Sequence, residues 1–210
     1  NSHKSLFLGT TELIEMESSD IDNNNFSFEE MSEIYVVVDN SMVQNRKVKR
    51  ENEIALNKGN KIHFVDKNLN NTIIQFLGKN PNESIYVDDV IDIVELNLSQ
   101  KNIKNISGLE YFLSLESLSL YNNQIEDLTP LKKLADLKHL HLFENEISDI
   151  SSLTNLKKLE SLSLSNNRIQ NLEPLKELTC LKNLSLSNNQ IRSLLELRKL
   201  INLSYLSLYN

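Results

Sequence analysis

A repeat of 22 residues constrains the fold of this chain more than any other feature of its sequence. Four successive units open on a leucine and follow the pattern Leu-x-x-Leu-x-Leu-x-x-Asn-x-Ile. They begin at Leu115, Leu137, Leu159 and Leu181, and a fifth unit that begins at Leu203 stops at Asn210. A fixed period of this length predicts a solenoid, in which each unit stacks on its neighbours and buries a shared core.

The spacing within one unit predicts how the units pack. In Leu-x-Leu, the two leucines lie on one face of a short strand and the intervening residue lies on the other. Stacked strands then form a parallel sheet, whereas Pro130 and Pro174 fix φ in the returning segments and favour turns or 3-10 helices there. A Leu-rich helical bundle is disfavoured because the alternation recurs in a fixed phase. We therefore predict an α/β solenoid.

The asparagine at the ninth position of each unit is the predicted link between neighbouring turns. Its side chain has two donor hydrogens and an acceptor oxygen, so it can bond backbone groups where the chain leaves the strand. Stacked turns would satisfy their buried polar groups through a ladder of such side chains. The predicted ladder consists of Asn123, Asn145, Asn167 and Asn189.

The phase of the repeat extends upstream by one atypical unit, residues 93–114, in which Lys101 stands at the ladder position. This first unit would expose its core to water unless another element covered it, so a cap is required. Apolar residues of Asn70–Leu77 have helical spacing, and Asp88–Val94 could form a second short element. We predict a helical cap over residues 69–92 and a repeat domain over 93–210, with units starting at 93, 115, 137, 159, 181 and 203.

These units resemble the 22-residue leucine-rich repeats of bacterial internalin-like proteins, and the resemblance covers residues 69–210. The motif Leu-x-Pro-Leu, at Leu128–Leu131 and Leu172–Leu175, is more similar to internalins than to the intracellular phosphatase-regulator type. The resemblance implies a leucine-rich-repeat solenoid with a parallel β-sheet on its concave side and 3-10 or turn segments on its convex side. It also implies a bacterial surface or secreted protein, so an extracellular or cell-surface location is favoured over a cytoplasmic one.

Residues 1–68 do not share this period, and we recognise no family in them. Residues with β propensity cluster in Glu33–Val38, Lys47–Leu56 and Lys61–Val65, and Leu6–Leu8 with Leu13–Ile14 could add a further strand. We predict a small β-rich N-terminal region. The first residues, Asn1–Thr10, lack the basic and apolar segments of a signal peptide.

Composition and motifs exclude several classes of function. The net charge is −7 and neither 1–68 nor 69–210 is basic, so nucleic-acid binding is not expected. No apolar run is long enough to span a bilayer. Phosphate loops and hydrolase motifs are absent, and the lone Cys180 lies in a different column from the histidines that could activate it. We predict no catalytic residue and no cofactor.

Two arrangements in the sequence have the spacing of metal ligands. Asp20, Asp22 and Asn24 have the spacing of a calcium loop, but Met31 stands where the bidentate glutamate is required. His139 and His141 could share a zinc ion, yet the flanking columns offer only serines as a third ligand. We therefore predict no metal site, and the two histidines could instead make a contact surface depend on pH.

The third, fifth and seventh positions of each unit must point outward, and most of them are small and polar. Two aromatic clusters stand out on this face, and exposed aromatic side chains on a rigid sheet are typical of protein-binding hot spots. The alternative is that neighbouring aromatic rings stack only to support the sheet. The predicted partner-binding residues are Tyr121, His139, His141 and Phe143, together with Tyr205 and Tyr209 near the end of the chain.

Three hypotheses for function follow. The leading one is a non-catalytic recognition module that binds a protein partner on the concave sheet. The second is an intracellular regulatory scaffold of the phosphatase-regulator type, and the third is an enzyme whose activity lies in residues 1–68 or beyond Asn210. Because the chain stops within a repeat, we expect it to be a fragment whose uncapped last unit is open to self-association.

Overall fold

The computed structural model describes residues 4–8, 12–16, 48, 52 and 54–209. It divides the chain into two compact units, Asn1–Leu56 and Asn57–Asn210. The segments predicted around Asp20–Met31 and at Glu33–Val38 lie outside the described residues.

The first unit contains an antiparallel pair of strands, β1 (Lys4–Leu8) and β2 (Glu12–Met16). These strands confirm the extended structure predicted at Leu6–Leu8 and Leu13–Ile14. The strand predicted over Lys47–Leu56 is wrong where this segment is described, because residues 48, 52 and 54–56 are helical. Its glutamates, alanine and leucine are good helix formers, and this local preference outweighs the two β-branched residues.

The second unit opens with the predicted helical cap. Helix α1 spans Lys67–Phe76 and is followed by the short helix α2, Val87–Val90. The strand predicted at Lys61–Val65 is reduced to a single antiparallel bridge between Lys61 and Tyr86. Leu69 and Ile73 of α1 are fully buried, as the helical spacing of the apolar residues requires.

The repeats form a six-stranded parallel sheet in sequence order, with short 3-10 segments on the opposite side, which confirms the predicted solenoid. Equivalent positions of successive units are paired, so Leu118 lies beside Leu140 and Leu140 beside Leu162. The strands are β3 (Glu95–Asn97), β4 (Ser117–Ser119), β5 (His139–His141), β6 (Ser161–Ser163), β7 (Asn183–Ser185) and β8 (Tyr205–Ser207). The 3-10 segments are Leu109–Tyr111, Thr129–Lys133, Ser151–Leu153, Glu173–Leu175 and Leu195–Lys199.

A continuous leucine and isoleucine core runs between the sheet and the 3-10 segments. The central leucines of β4, β5 and β6 are at most 1% exposed, as are the isoleucines that follow the turns at Ile125, Ile147 and Ile169. Burying one such side chain is worth about 1.5–3 kcal/mol, and this gain is available only when neighbouring units are stacked.

The ninth-position asparagines bond the backbone of two successive units. The Oδ1 atom of Asn145 accepts the N–H of Ile125 at 3.0 Å, and its Nδ2 donates to the carbonyls of Leu120 and Leu142 at 3.0 and 3.1 Å. The three other asparagines of the set bond equivalent backbone groups. These groups are buried and lie outside the sheet, so without the asparagines they would lack partners.

Asp66 joins the cap to the first repeat. Its Oδ1 accepts the N–H groups of Asn68 and Leu69 and so caps α1, while its Oδ2 accepts those of Lys104 and Asn105 in the first unit. Burial alone would raise the pKa of Asp66, but the four N–H donors stabilise the carboxylate and hold the pKa below its ordinary value.

Gly108 marks a second close contact between the cap and the first repeat. Its φ is +105°, and a Cβ at this position would lie 2.5 Å from the Phe64 ring. Only glycine combines this backbone conformation with such a close approach.

Replacing Asn145 by alanine tests the ladder. We expect Asn145→Ala to lower the free energy of unfolding by about 3 kcal/mol, because it leaves one buried N–H and two buried carbonyls without partners. Chemical denaturation would measure this loss. The control Asn155→Ala removes an exposed side chain, and its effect should stay within about 0.5 kcal/mol. Equal effects of the two changes would show that the ladder does not stabilise the stack.

The Asp66 carboxylate makes stability depend on pH. Its pKa is lower in the folded chain than in the unfolded one, so its contribution is present above the ordinary carboxyl pKa of about 3.9 and is lost as the pH falls through the folded value. We expect Asp66→Asn to cost about 1–2 kcal/mol at pH 7. Urea titrations at pH 7, 5 and 3 should show this difference shrinking toward pH 3, whereas Asp92→Asn, at an exposed site, should show no such trend.

Candidate functional site

The outward face of the sheet is built from a repeated pair of serine hydroxyls. The seventh position of one unit bonds the fifth position of the next, as in Ser99 with Ser119 at 2.8 Å and Ser165 with Ser185 at 2.6 Å. Ser187 and Ser207 form a third pair at 2.7 Å. Although their positions face outward, Ser99 and Ser187 are nearly buried, at 8% and 3% exposure. At these three places, small hydroxyl side chains satisfy each other's hydrogen-bonding groups and cover the sheet.

The units that begin at 115 and 137 interrupt this pattern. Their seventh positions are Tyr121 and Phe143, whose rings stack with centroids 4.6 Å apart and planes 5° from parallel. The rings follow strands β4 and β5, which are paired in register, so the spacing of the strands sets the spacing of the rings. Both rings remain partly exposed.

Two histidines complete this cluster on β5. His139 is exposed and His141 is half-buried, and both point to the outward side because Leu140 between them points to the core. Burial, and then the nearby charge of His139, lower the pKa of His141 below its ordinary value. The neutral form of His141 is therefore favoured, and its ring adds a polar aromatic surface to the cluster. We name Tyr121, His139, His141 and Phe143 the aromatic patch.

Glu144 follows the aromatic patch in an unusual backbone conformation. In the five units that begin at 93, 115, 137, 159 and 181, the eighth position has positive φ, between 52° and 59°, because the chain turns there. Asparagine tolerates this left-handed region best among residues with a side chain. Three of these positions are asparagines, Asn122, Asn166 and Asn188. The unit that begins at 137 instead has Glu144, with φ of +57°, and the atypical first unit has Gln100, with φ of +59°.

Charged side chains of successive units form ion pairs in the part of the solenoid that carries the patch. Lys138 pairs with Glu116 at 2.8 Å, Lys182 with Glu160 at 2.6 Å, and Arg168 with Glu146 at 2.8 Å. In each pair the carboxylate belongs to the earlier unit and the cation to the next one. Lys138, Arg168 and Lys182 thus each have a carboxylate partner in the preceding unit.

The two tyrosines predicted near the end of the chain lie apart from the patch. Tyr205 is in β8 and Tyr209 follows it, and strands β6 and β7 separate them from β5. Their side chains are 57% and 73% exposed. The sheet therefore carries two aromatic clusters, with serine-rich strands between them.

The described residues contain no group of three or more His, Cys, Asp or Glu side chains that could hold a metal ion. Cys180 is exposed, in the returning segment that precedes β7. Within the same part of the chain, no helix has the length and apolar character needed to cross a membrane.

Sequence reasoning overlooked two features of this site. One is the serine pairing, which depends on a diagonal contact between units that a linear pattern does not show. The other is the conformation of Glu144, for which a signal existed: the repeat places asparagine at most of the equivalent positions, and a glutamate there departs from it.

The repeats match a known family. Residues 93–133 and 136–177 match the family described as "Leucine Rich repeats (2 copies)". No curated protein matches the sequence.

Solved structures of bacterial proteins are similar to this chain. The internalin inlF of Listeria monocytogenes has a TM-score of 0.57 and 26% identity, over 70% of this chain and 52% of that one. A leucine-rich-repeat protein of Leptospira interrogans has a TM-score of 0.53 and 33% identity, over 64% of this chain and 34% of that one. This chain thus spans about half of the first protein and a third of the second.

Internalin C2 of Listeria monocytogenes has a TM-score of 0.55 and 32% identity, over 69% of this chain and 74% of that one. Together with the repeat match, this likeness shows that the chain belongs to the bacterial internalin-like leucine-rich-repeat proteins.

Proposed function

We propose that the chain is a non-catalytic recognition module that binds a protein partner on the concave sheet, through the aromatic patch. Solenoids of this kind offer an extended, rigid concave surface, which is well suited to binding another protein. Tyr205 and Tyr209 would extend the contact along the same sheet. The asparagine ladder would hold the surface in shape without touching the partner.

The observation that carries this proposal is the break in the serine pairing. Three pairs show that serine at the fifth and seventh positions satisfies this face. Tyr121 and Phe143 replace the hydroxyl pairing with two large rings that stay partly open to water. Such rings lose little conformational entropy on binding and bury a large area, so they contribute to association more than to folding.

The competing explanation is that the stacked rings serve only to support the sheet. A stacked pair does stabilise neighbouring strands. However, the same support would not require His139 and His141 beside it, nor a glutamate in the left-handed turn that follows. Three departures from the repeat in one unit favour a function at this surface.

The internalin-like neighbours favour a bacterial surface or secreted protein over an intracellular scaffold of the phosphatase-regulator type. A signal peptide on the natural precursor would support the first location, and an unprocessed initiator methionine would support the second. Because the chain spans half of inlF and a third of the Leptospira protein, the activity of the whole protein remains part of this proposal.

A serine variant tests the binding surface without disturbing the fold. Tyr121, His139, His141 and Phe143 are changed together to serine, the residue that other units carry at these positions. The parent and the variant are used as baits in host and bacterial extracts, and a protein captured by the parent is purified. We expect its Kd for the variant to rise at least about 100-fold, which corresponds to the loss of one or two hot spots.

The control for this experiment changes the convex side. Lys132→Ser with Arg198→Ser alters two exposed residues of the 3-10 segments and should leave the Kd unchanged. Circular dichroism must show that all three proteins are folded. If the serine variant binds the purified partner as tightly as the parent, the aromatic patch is not the binding surface.

Glu144→Asn tests whether the glutamate in the turn after the patch contributes to binding while lowering the stability of the fold. Asparagine is the residue of three equivalent turns and tolerates positive φ better than glutamate. We expect the variant to gain about 0.5–1 kcal/mol in unfolding free energy, measured by chemical denaturation, while binding the captured partner more weakly. Asn122→Glu, the reverse change in the preceding unit, should lose a similar amount, and a stability gain from it would contradict this explanation.

A further inference from the structure

We propose that the protein partner presents a lysine or arginine side chain to the Tyr121–Phe143 stack, with Glu144 as the counter-charge. This inference rests on the proposed function and adds the chemistry of the group that is recognised. Three properties of the site lead to it: the open faces of the rings, the neutralised cations around them, and the unpaired carboxylate beside them.

Each ring of the stack has one face on which no further tyrosine or phenylalanine ring stacks among the described residues. Each ring covers one face of the other, and within the described residues no further ring stacks on the pair. The neighbours in the same column of the sheet are Ser99 before Tyr121 and Ser165 after Phe143, both too small to cover a ring. The face of an aromatic ring is its electron-rich surface and attracts a cation placed within about 6 Å of its centre.

Two basic side chains of this region already have carboxylate partners within the chain. Lys138 and Arg168 are held at 2.8 Å by Glu116 and Glu146, and each of these contacts joins two successive units. Burial lowers the pKa of His141 and favours its neutral form. We therefore expect the lysine or arginine that packs on the rings to come from the partner.

Glu144, the residue that follows Phe143, is exposed and carries a negative charge without a partner among residues 54–209. Within residues 54–209 its side chain makes no ion pair and no hydrogen bond, in contrast to the nearby Glu116 and Glu146. A partner that covered the patch with apolar groups alone would remove this carboxylate from water without pairing it, which is strongly unfavourable. A partner cation would both pair with the carboxylate and lie against the rings.

Charge complementarity thus selects a basic partner surface. The chain as a whole has a net charge of −7, so long-range attraction also favours a basic protein. Arginine fits best, because its planar guanidinium can stack on a ring and donate to a carboxylate at the same time.

The test uses a defined probe, acetyl-Gly-Arg-Gly-amide, titrated into the ¹⁵N-labelled protein, with a matched peptide in which neutral citrulline replaces arginine. We expect the arginine peptide to change the amide chemical shifts of residues around Phe143 and Glu144. The changes caused by the citrulline peptide should be at least threefold smaller. They should fall by a similar factor in Glu144→Gln, which keeps the shape of the side chain and removes its charge. The control Glu126→Gln removes one charge from an exposed residue of the preceding unit and should have no effect.

Equal shifts with the two peptides, or equal effects of Glu144→Gln and Glu126→Gln, would overturn this inference. The captured partner gives a second readout that separates it from the proposed function. We expect Glu144→Gln to weaken binding of that partner at least tenfold, with a smaller dependence on salt than the parent shows. If the serine variant loses the partner while Glu144→Gln does not, the binding surface stands and the recognition of a cation is wrong. If both variants keep the partner, both proposals fail.

Discussion

The stack of units depends on the bonding of backbone groups that lie outside the short sheet. Each strand has only three residues, so most of each unit is irregular and its polar groups need other partners. The asparagine at the ninth position supplies them from within the core, by joining the backbone of its own unit to that of the preceding one. This bonding makes the leucine core possible, because leucines can be buried only if the turns around them have no unsatisfied groups.

The same regularity explains why departures from it are informative. A repeat that stacks in register gives equivalent positions equivalent surroundings, so each unit acts as a control for the others. On the outward face, serine pairs meet the structural requirement in three places, and the aromatic patch occurs where the pairing is absent. The glutamate in a left-handed turn lies in the same unit. The core and the ladder thus hold the surface in the same way throughout, and two successive units differ from the others on it.

The sequence predicted much of this structure because the repeat places residues of the same type at equivalent positions of every unit, and stacking makes the same demands at each of them. Alternating leucines required strands, stacking required parallel pairing, and the exposed end required a cap, which α1 provides. The prediction was wrong at residues 48, 52 and 54–56, where no repeat constrains the chain and local helix preference outweighs β-branched residues. At Lys61–Val65 the sequence predicted a strand, but the structure has only a single bridge between Lys61 and the distant Tyr86.

For the candidate site, the sequence by itself determined which side chains face outward, because a strand alternates its faces with a period of two. Only the tertiary structure decided which of them meet. It stacked Tyr121 on Phe143, bonded serines diagonally between units, and left Tyr205 and Tyr209 two strands away from the patch. It also paired the cations near the patch and left Glu144 without a partner among the described residues. Such contacts join residues about one repeat apart, and their distances depend on the register of the stack, which a linear pattern does not contain.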